Sequence, residues 1–300
     1  MIRRFAELRP DEFKTLEPHL TVFVFPVGGL EQHGPHLPLG TKLVQAEGLS
    51  RALVEELSKR LPGWTFVLMP LIPLTVDGIT QALTLSVRPH VVRDAVVDQC
   101  EQLKRLGQRN FIAVNSHLSP KQVMALEDAA KIVTGRSWYV GSKAQLVSVT
   151  SALVEAKHVF ESPMIALPEE HGGAGDTSVL LHLAPALVKS SYVDLEPAER
   201  PKASIRRFFR YLSNEIDGYW GRPAHASARE GGVGLDSEVQ LLCTKLIPWL
   251  EKGQGGAQFR SAYRYFPYNW SFAKAYILLI LIFVMGLLWV FWSVRDVFEI

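Results

Sequence analysis

Cysteine is scarce in this chain of 300 residues: Cys100 and Cys243 are the only two. They supply no disulfide framework and fit a reducing compartment. Excess charge is lacking too. Lys and Arg number 32 against 30 Asp and Glu, a net charge of +2, too little to indicate a nucleic-acid partner. Met1–Leu20 has no apolar core and reads as no signal peptide. No internal repeat is visible. No glycine-rich loop ends in Gly-Lys-Ser/Thr, which excludes a phosphate loop.

Against these absences stands one long apolar run. Tyr276–Val294 (YILLILIFVMGLLWVFWSV) covers 19 residues without a charge, and 13 of them are Leu, Ile, Val or Phe. A bilayer core needs about 20 helical residues, and these side chains favour insertion by roughly 4–8 kcal/mol. Trp289 and Trp292 near one end, with Trp270 and Tyr276 at the other, suit the head-group level. The run predicts a single transmembrane helix with the lipid bilayer as a partner. Arg260, Arg264 and Lys274 precede it, and Arg295, Asp296 and Glu299 follow. The positive-inside rule then keeps the globular body cytoplasmic. Gly286 and Ser293 are the few small residues of the span, so no Gly-x-x-x-Gly pairing is expected.

The predicted organisation is a body over residues 1–252, a linker and interfacial segment over 253–275, the span over 276–294 and a short tail over 295–300. Apolar runs predict strands at Thr21–Val27, Thr65–Leu71, Phe111–Asn115 and Ser137–Val140. Helical spacing predicts helices over Leu43–Lys59, Val91–Leu106, Asp176–Leu183 and Leu235–Leu250. Strands alternating with helices indicate an α/β body with a mainly parallel sheet covered on both faces. Ligands of such sheets gather at the carboxyl ends of the strands.

Three loops at predicted strand ends carry the unusual residues. The first runs from Gly28 through Glu31, His33 and His36 to Lys42, with glycines and prolines between. A carboxylate and two imidazoles within six residues suit a divalent metal. The second is Asn115-Ser116-His117-Leu118-Ser119. The third is Glu169-Glu170-His171-Gly172-Gly173-Ala174-Gly175-Asp176-Thr177-Ser178, in which Asp176 or Thr177 is placed to cap the following helix. Of two further runs, Arg206–Arg210 suits either a solvated helix face or anionic head groups, and the aromatic Tyr263–Trp270 reads as interfacial, with partner binding as the alternative.

The first loop, PVGGLEQHGPHLPLGTK, resembles the signature P-x-G-x-x-E-x-H-G-P-H-L-P-x-x-T-D of the creatininase family of metal-dependent amidohydrolases. The likeness continues through LTLSVRPHVV, AVNSHLSP (V-N-G-H-G-G-N in relatives), EEHGGAGDTSVLLHLAPALV (H-A-G-x-x-E-T-S) and GYWGRPAHASAREGG, covering about residues 20–250. The resemblance implies a creatininase-like α/β/α sandwich, often assembled as a homohexamer. It also implies two divalent ions, often Zn or Mn, that activate water against a small cyclic amide or formamide.

Carried over position by position, Glu31, His33 and His117 stand where relatives have metal ligands. The bridging Asp is replaced by Lys42, a later acidic position by Ser119, and the third-loop acidic position is read at Ala174. An ammonium about 5 Å from a divalent ion is repelled by up to roughly 7 kcal/mol at an effective dielectric of 20. The expectation is that Lys42 takes the metal's place and pairs with Glu31.

Two readings follow. In one, the metal centre is lost and the chain is a membrane-anchored structural or accessory subunit with membrane-protein partners. In the other, one Zn or Mn survives on Glu31, His33 and His117, with His36, Glu170, His171 or Asp176 as a fourth ligand or base, and the chain hydrolyses a small amide.

Overall fold

The computed structural model describes residues 1–76, 83–135, 144–150, 170–199, 218–253, 256–261 and 270–297. The elements divide into two units, Met1–Ala262 and Tyr263–Ile300. The first contains β1 (Ile2–Arg4), α1 (Pro10–Lys14), β2 (Thr21–Gly28), α2 (Thr41–Arg60), β3 (Thr65–Leu68), β4 (Ile72–Pro73), α3 (Pro89–Arg105), β5 (Asn110–Asn115), α4 (Pro120–Thr134), β6 (Gln145–Ser148), α5 (Ala174–Leu183) and α6 (Ala228–Lys252). The second contains α7 (Trp270–Val297).

The strands form one sheet in the order β1-β3-β2-β5-β6, with β4 paired to the end of β2. Every strand pair in it is parallel. The central strand β2 is buried along its whole length. Its alternate side chains therefore enter two different cores. Val22 and Val24 pack with Leu53 and Leu57 of α2 and Leu242 and Leu246 of α6. Phe23, Phe25 and Val27 pack on the other face with Val92 and Val96 of α3 and Ala125 and Leu126 of α4. This is the expected three-layer arrangement, a mainly parallel sheet between helices.

Local chemistry sets the helix bounds. Pro89 opens α3, and Gly107 follows its end with φ +89°. Ser119 caps α4 by accepting the Gln122 N–H, and Pro120 takes the first helical position, where a missing N–H costs nothing. Ser227 caps α6 at the Glu230 N–H, and Gly253 closes it in the left-handed region.

Three elements differ from expectation. The strand predicted at Ser137–Val140 falls outside the described residues, and β6 lies further on, at Gln145–Ser148. The helix α4, absent from the predicted elements, starts at Ser119-Pro120 directly after the loop that carries His117, so its start signal overlaps that loop. The helix α6 begins seven residues before the predicted Leu235, because glycines 231, 232 and 234 weaken the helical pattern without breaking it.

The second unit consists, among the described residues, of the 28-residue helix α7. Side chains are described along it from Ile277 to Ser293, and the apolar ones are exposed all round: Ile277 50%, Leu278 58%, Leu279 63% and Ile280 51% in succession. The predicted transmembrane span is not supported at this level. Among the described residues no helix is long and apolar enough to cross a membrane. Trp289 and Trp292 are exposed, while Trp270 and Tyr276 lie outside the described side chains. The Arg206–Arg210 and Tyr263–Asn269 runs also lie outside the described residues.

Candidate metal centre

The loops that follow β2 and β5 meet at the carboxyl edge of the sheet, together with the turn that opens α5. Close backbone approach makes the meeting possible. A Cβ on Gly28 would lie 2.5 Å from the Lys42 carbonyl oxygen, and one on Gly172 (φ +60°) 2.5 Å from the His33 carbonyl oxygen. Only glycine fits at either position.

Glu31 sits at the centre, 1% exposed, with His33 at 0% and His171 at 8%. Among the described residues these three bring one ligand atom each within 4.8 Å of one another. His117 joins them, with Nδ1 3.2 Å from Glu31 Oε2. Each imidazole has one ring nitrogen on a backbone carbonyl: His33 Nδ1 on Glu31 O at 2.9 Å, His117 Nε2 on Val76 O at 3.1 Å, and His171 Nε2 on Gln32 O at 2.7 Å. A carbonyl accepts only, so these nitrogens carry the protons. The lone pairs of His33 and His171 then belong to Nε2 and Nδ1, while His117 turns its Nδ1 toward Glu31 Oε2. Orientation by an outer carbonyl is how metal-ligating histidines are usually held. His33 Nε2 is buried without a hydrogen-bond partner and lies 3.9 Å from both Glu31 Oε2 and Asp176 Oδ2. A buried nitrogen in that state costs free energy unless an ion fills the gap.

The electrostatics favour ligand-ready forms. Burial pushes the His33 imidazole down to about 3, with nearby His171 and Lys42 adding to it and Asp176 and Glu31 opposing. Burial likewise lowers His171 against the pull of Glu31 and Asp176. Burial opposes ionisation of Glu31, yet the hydrogen bond and charge of His117, with His171 and His33 behind it, hold the carboxyl well below the usual range. The buried His33 and His171 rings, with His117 on the ionised Glu31, form a donor set that suits a zinc- or manganese-type ion.

Several site residues depart from expectation. Lys42 pairs with Asp176 rather than with Glu31: Nζ lies 2.5 Å from Asp176 Oδ1 and 3.1 Å from Gln45 Oε1. Lys42 lies in the first turn of α2, and its partner Asp176 is 3.9 Å from His33 Nε2. The third-loop acidic position is filled after all. Ala174 merely opens α5, while Asp176, two residues on, reaches His33. The five-residue step from His to Glu in H-A-G-x-x-E-T-S carries that signal, and counting from His171 lands on Asp176. Ser119 is a helix cap whose hydroxyl donates to Val76 O at 3.0 Å, the same carbonyl that orients His117. Glu170 braces its own loop, accepting the Gly175 N–H at 3.2 Å beneath Gly221. His36 places Nε2 2.8 Å from Thr177 Oγ1, and burial pushes it down to about 4. Gln45, Val76 and Trp220 had no sequence signal. Trp220 packs against His171 at a tilt, with ring centroids 4.9 Å apart, and His171 in turn stacks on His33 at 4.1 Å.

A carboxylate with three carbonyl-oriented imidazoles at the carboxyl edge of a parallel sheet defines an α/β domain with a group of side chains that could hold a metal ion. A profile of the creatininase family (creatinine amidohydrolase) matches residues 6–246, and the chain belongs to that family. A mycofactocin precursor peptide peptidase from Mycobacterium ulcerans (strain Agy99) is 30% identical over 235 residues, covering 75% of this chain and 84% of the relative. A protein of the same description from Mycobacterium tuberculosis (strain CDC 1551 / Oshkosh) is 26% identical over 241 residues, 77% and 87% of the two chains. A solved structure described as "Creatininase Mn" superposes with a TM-score of 0.64 at 20% identity, over 84% of this chain and 100% of the other. At that identity the likeness concerns the fold.

Proposed function

We infer that this chain is a metal-dependent amidohydrolase that cleaves the C–N bond of an amide, with peptide amides as the first class to try. The observation that carries this reading is the set of three imidazoles, each proton-locked by a backbone carbonyl, gathered around the ionised Glu31. The peptidase description of the two mycobacterial relatives supports a peptide substrate. Small cyclic amides and formamides remain the second class.

Glu31, His33 and His171 would hold a Zn or Mn ion, with His117 beside Glu31 as a further ligand. Such an ion, when bound, lowers the pKa of water and polarises a carbonyl. The chain's own residues do the rest. Val76 O and Gln32 O fix the tautomers of His117 and His171. His33 stacks on the His171 ring, and Trp220 packs against it at a tilt. The low exposure of all four ligand candidates excludes bulk water and strengthens every charge interaction there.

The test is hydrolysis of a panel of peptide amides, N-formyl amino acids and cyclic amides by the full chain, with and without added Zn or Mn. Release of amine that depends on the ion and vanishes in Glu31→Gln supports the reading. Lack of turnover across the panel by metal-loaded protein would favour the second reading, an accessory subunit. The observation behind that alternative is the ammonium of Lys42 inside the cluster.

We further infer that α7 anchors the chain in a bilayer. The 28 residues of α7 extend for about 42 Å, and the uncharged run Tyr276–Val294 within it supports this reading. The exposed apolar residues from Ile277 to Trp292 surround the helix instead of forming one stripe. A packed partner helix would cover only a stripe.

A further inference from the structure

The charges around His33 do not match a site open to any number of ions. Glu31 and Asp176 are both carboxylates, and Lys42 stands within 2.5 Å of the second. The cluster thus has one net negative charge before any ion binds. One divalent ion turns this to one net positive charge, and two would turn it to three within a buried pocket.

Asp176 is also heavily engaged. Its Oδ1 accepts from Lys42 Nζ and from Gln45 Nε2 at 2.9 Å, and its Oδ2 accepts the Gly172 N–H at 2.9 Å. Oδ1, holding an ammonium and an amide, has little capacity left for a metal, and Oδ2, which faces His33 at 3.9 Å, already accepts a backbone N–H and shares a carboxylate whose charge Lys42 offsets. The donors therefore fall into two groups: Glu31, His33, His117 and His171 on one side, and a neutralised Asp176 on the other.

Lys42 is held in place with care. It stands in the first turn of the 20-residue helix α2, where the helix dipole disfavours a cation. Its carbonyl accepts the Ser116 hydroxyl at 2.6 Å and leaves room only for a glycine at position 28. Its ammonium, 12% exposed, has Gln45 as a second acceptor one turn along the same helix.

We propose that Lys42 is a built-in cation that occupies the Asp176 side of the centre and limits it to one divalent metal. This rests on the metal-dependent reading above and makes Lys42 a positioning residue. It neutralises Asp176 and leaves the imidazole side as the only ligand set among the described residues.

The experiment uses the full chain in detergent, dialysed to equilibrium against Zn²⁺ or Mn²⁺, with ions per chain read by elemental analysis and folding checked by thermal melting. The expected result is one ion per chain in the wild type and in Lys42→Arg, which keeps the charge. Two ions are expected in Lys42→Asp, together with at least tenfold tighter binding of the first ion. Two ions in the wild type would overturn the proposal, and so would one ion in a folded Lys42→Asp protein; either result would leave the metal-dependent reading standing. A wild type and a Lys42→Asp protein that are both folded and both free of metal would overturn that reading and the proposal with it.

Discussion

At the scale of single residues, a histidine is useful as a ligand only when one nitrogen is free and the other is tied. Here the ties are carbonyls of Glu31, Val76 and Gln32, so no side-chain substitution can remove them directly. The ligands themselves can be tested. His33→Gln and Glu31→Gln should each weaken Zn²⁺ binding by more than the roughly 10–100-fold that loss of an outer-sphere partner costs. Competition with a chelating dye measures this, and unchanged affinity in both variants would remove them from the centre.

The same residues set a pH dependence in metal-free protein. His33 and His36 are neutral when folded, with pKa values pushed to about 3 and about 4 by burial. The unfolded chain, with histidine near 6.5, binds more protons between those values and 6.5. Stability is therefore fully present above about pH 6.5 and is lost as pH falls below it, by up to about 1.4 kcal/mol per pH unit for each group. Glu31 and Asp176, held low by their neighbours, act in the same direction below about pH 4. Melting temperatures at pH 7.5, 6 and 5 should decline steadily, and less steeply in His33→Gln. A flat profile would contradict neutral burial of these rings.

At the scale of elements, the site depends on how closely α5 and α6 approach. A Cβ on Gly231 would lie 2.0 Å from the Ser178 carbonyl oxygen and 2.4 Å from its carbon. Neither atom belongs to a flexible side chain, so one helix must shift. Gly231→Ala should therefore cost about 1–3 kcal/mol, which for a domain of this size lowers the melting temperature by roughly 5 °C. Gly40→Ala, whose nearest neighbour would be Leu43 Cδ1 at 3.8 Å, is the control and should change little. Because α5 begins at the third loop, Gly231→Ala should also loosen Asp176 and His171, read as weaker Zn²⁺ binding.

The elements show what could be read in advance. The strand β2 declares itself by an unbroken apolar run, and α3 by its Pro89 start and Gly107 stop. The helix α4 was hidden because its first residues, Ser119 and Pro120, follow directly on a loop already rich in candidate ligands. The start of α6 was hidden by glycines that exist for helix packing, a contact with no local trace.

At the scale of the whole molecule, the open matter is the environment of α7. Thirteen strongly apolar residues in the run favour insertion by roughly 4–8 kcal/mol. Two lysines near its middle would oppose this by about 5–7 kcal/mol. Wild-type chain should remain with membranes after an alkaline wash, while Ile280→Lys combined with Val284→Lys should move most of it to the supernatant. Release of the wild type by the same wash would exclude a spanning anchor.

The sequence by itself determined the parallel α/β body, its family and the identity of the cluster's members, since apolar runs, loop positions and residue types are local properties of the chain. Only the tertiary structure decided how those members pair. Lys42 lies 11 residues from Glu31 and 134 from Asp176, yet its ammonium reaches the distant carboxylate. The first turn of α2 and the opening turn of α5 meet at the carboxyl edge of the sheet, and it is this meeting that places charge against charge.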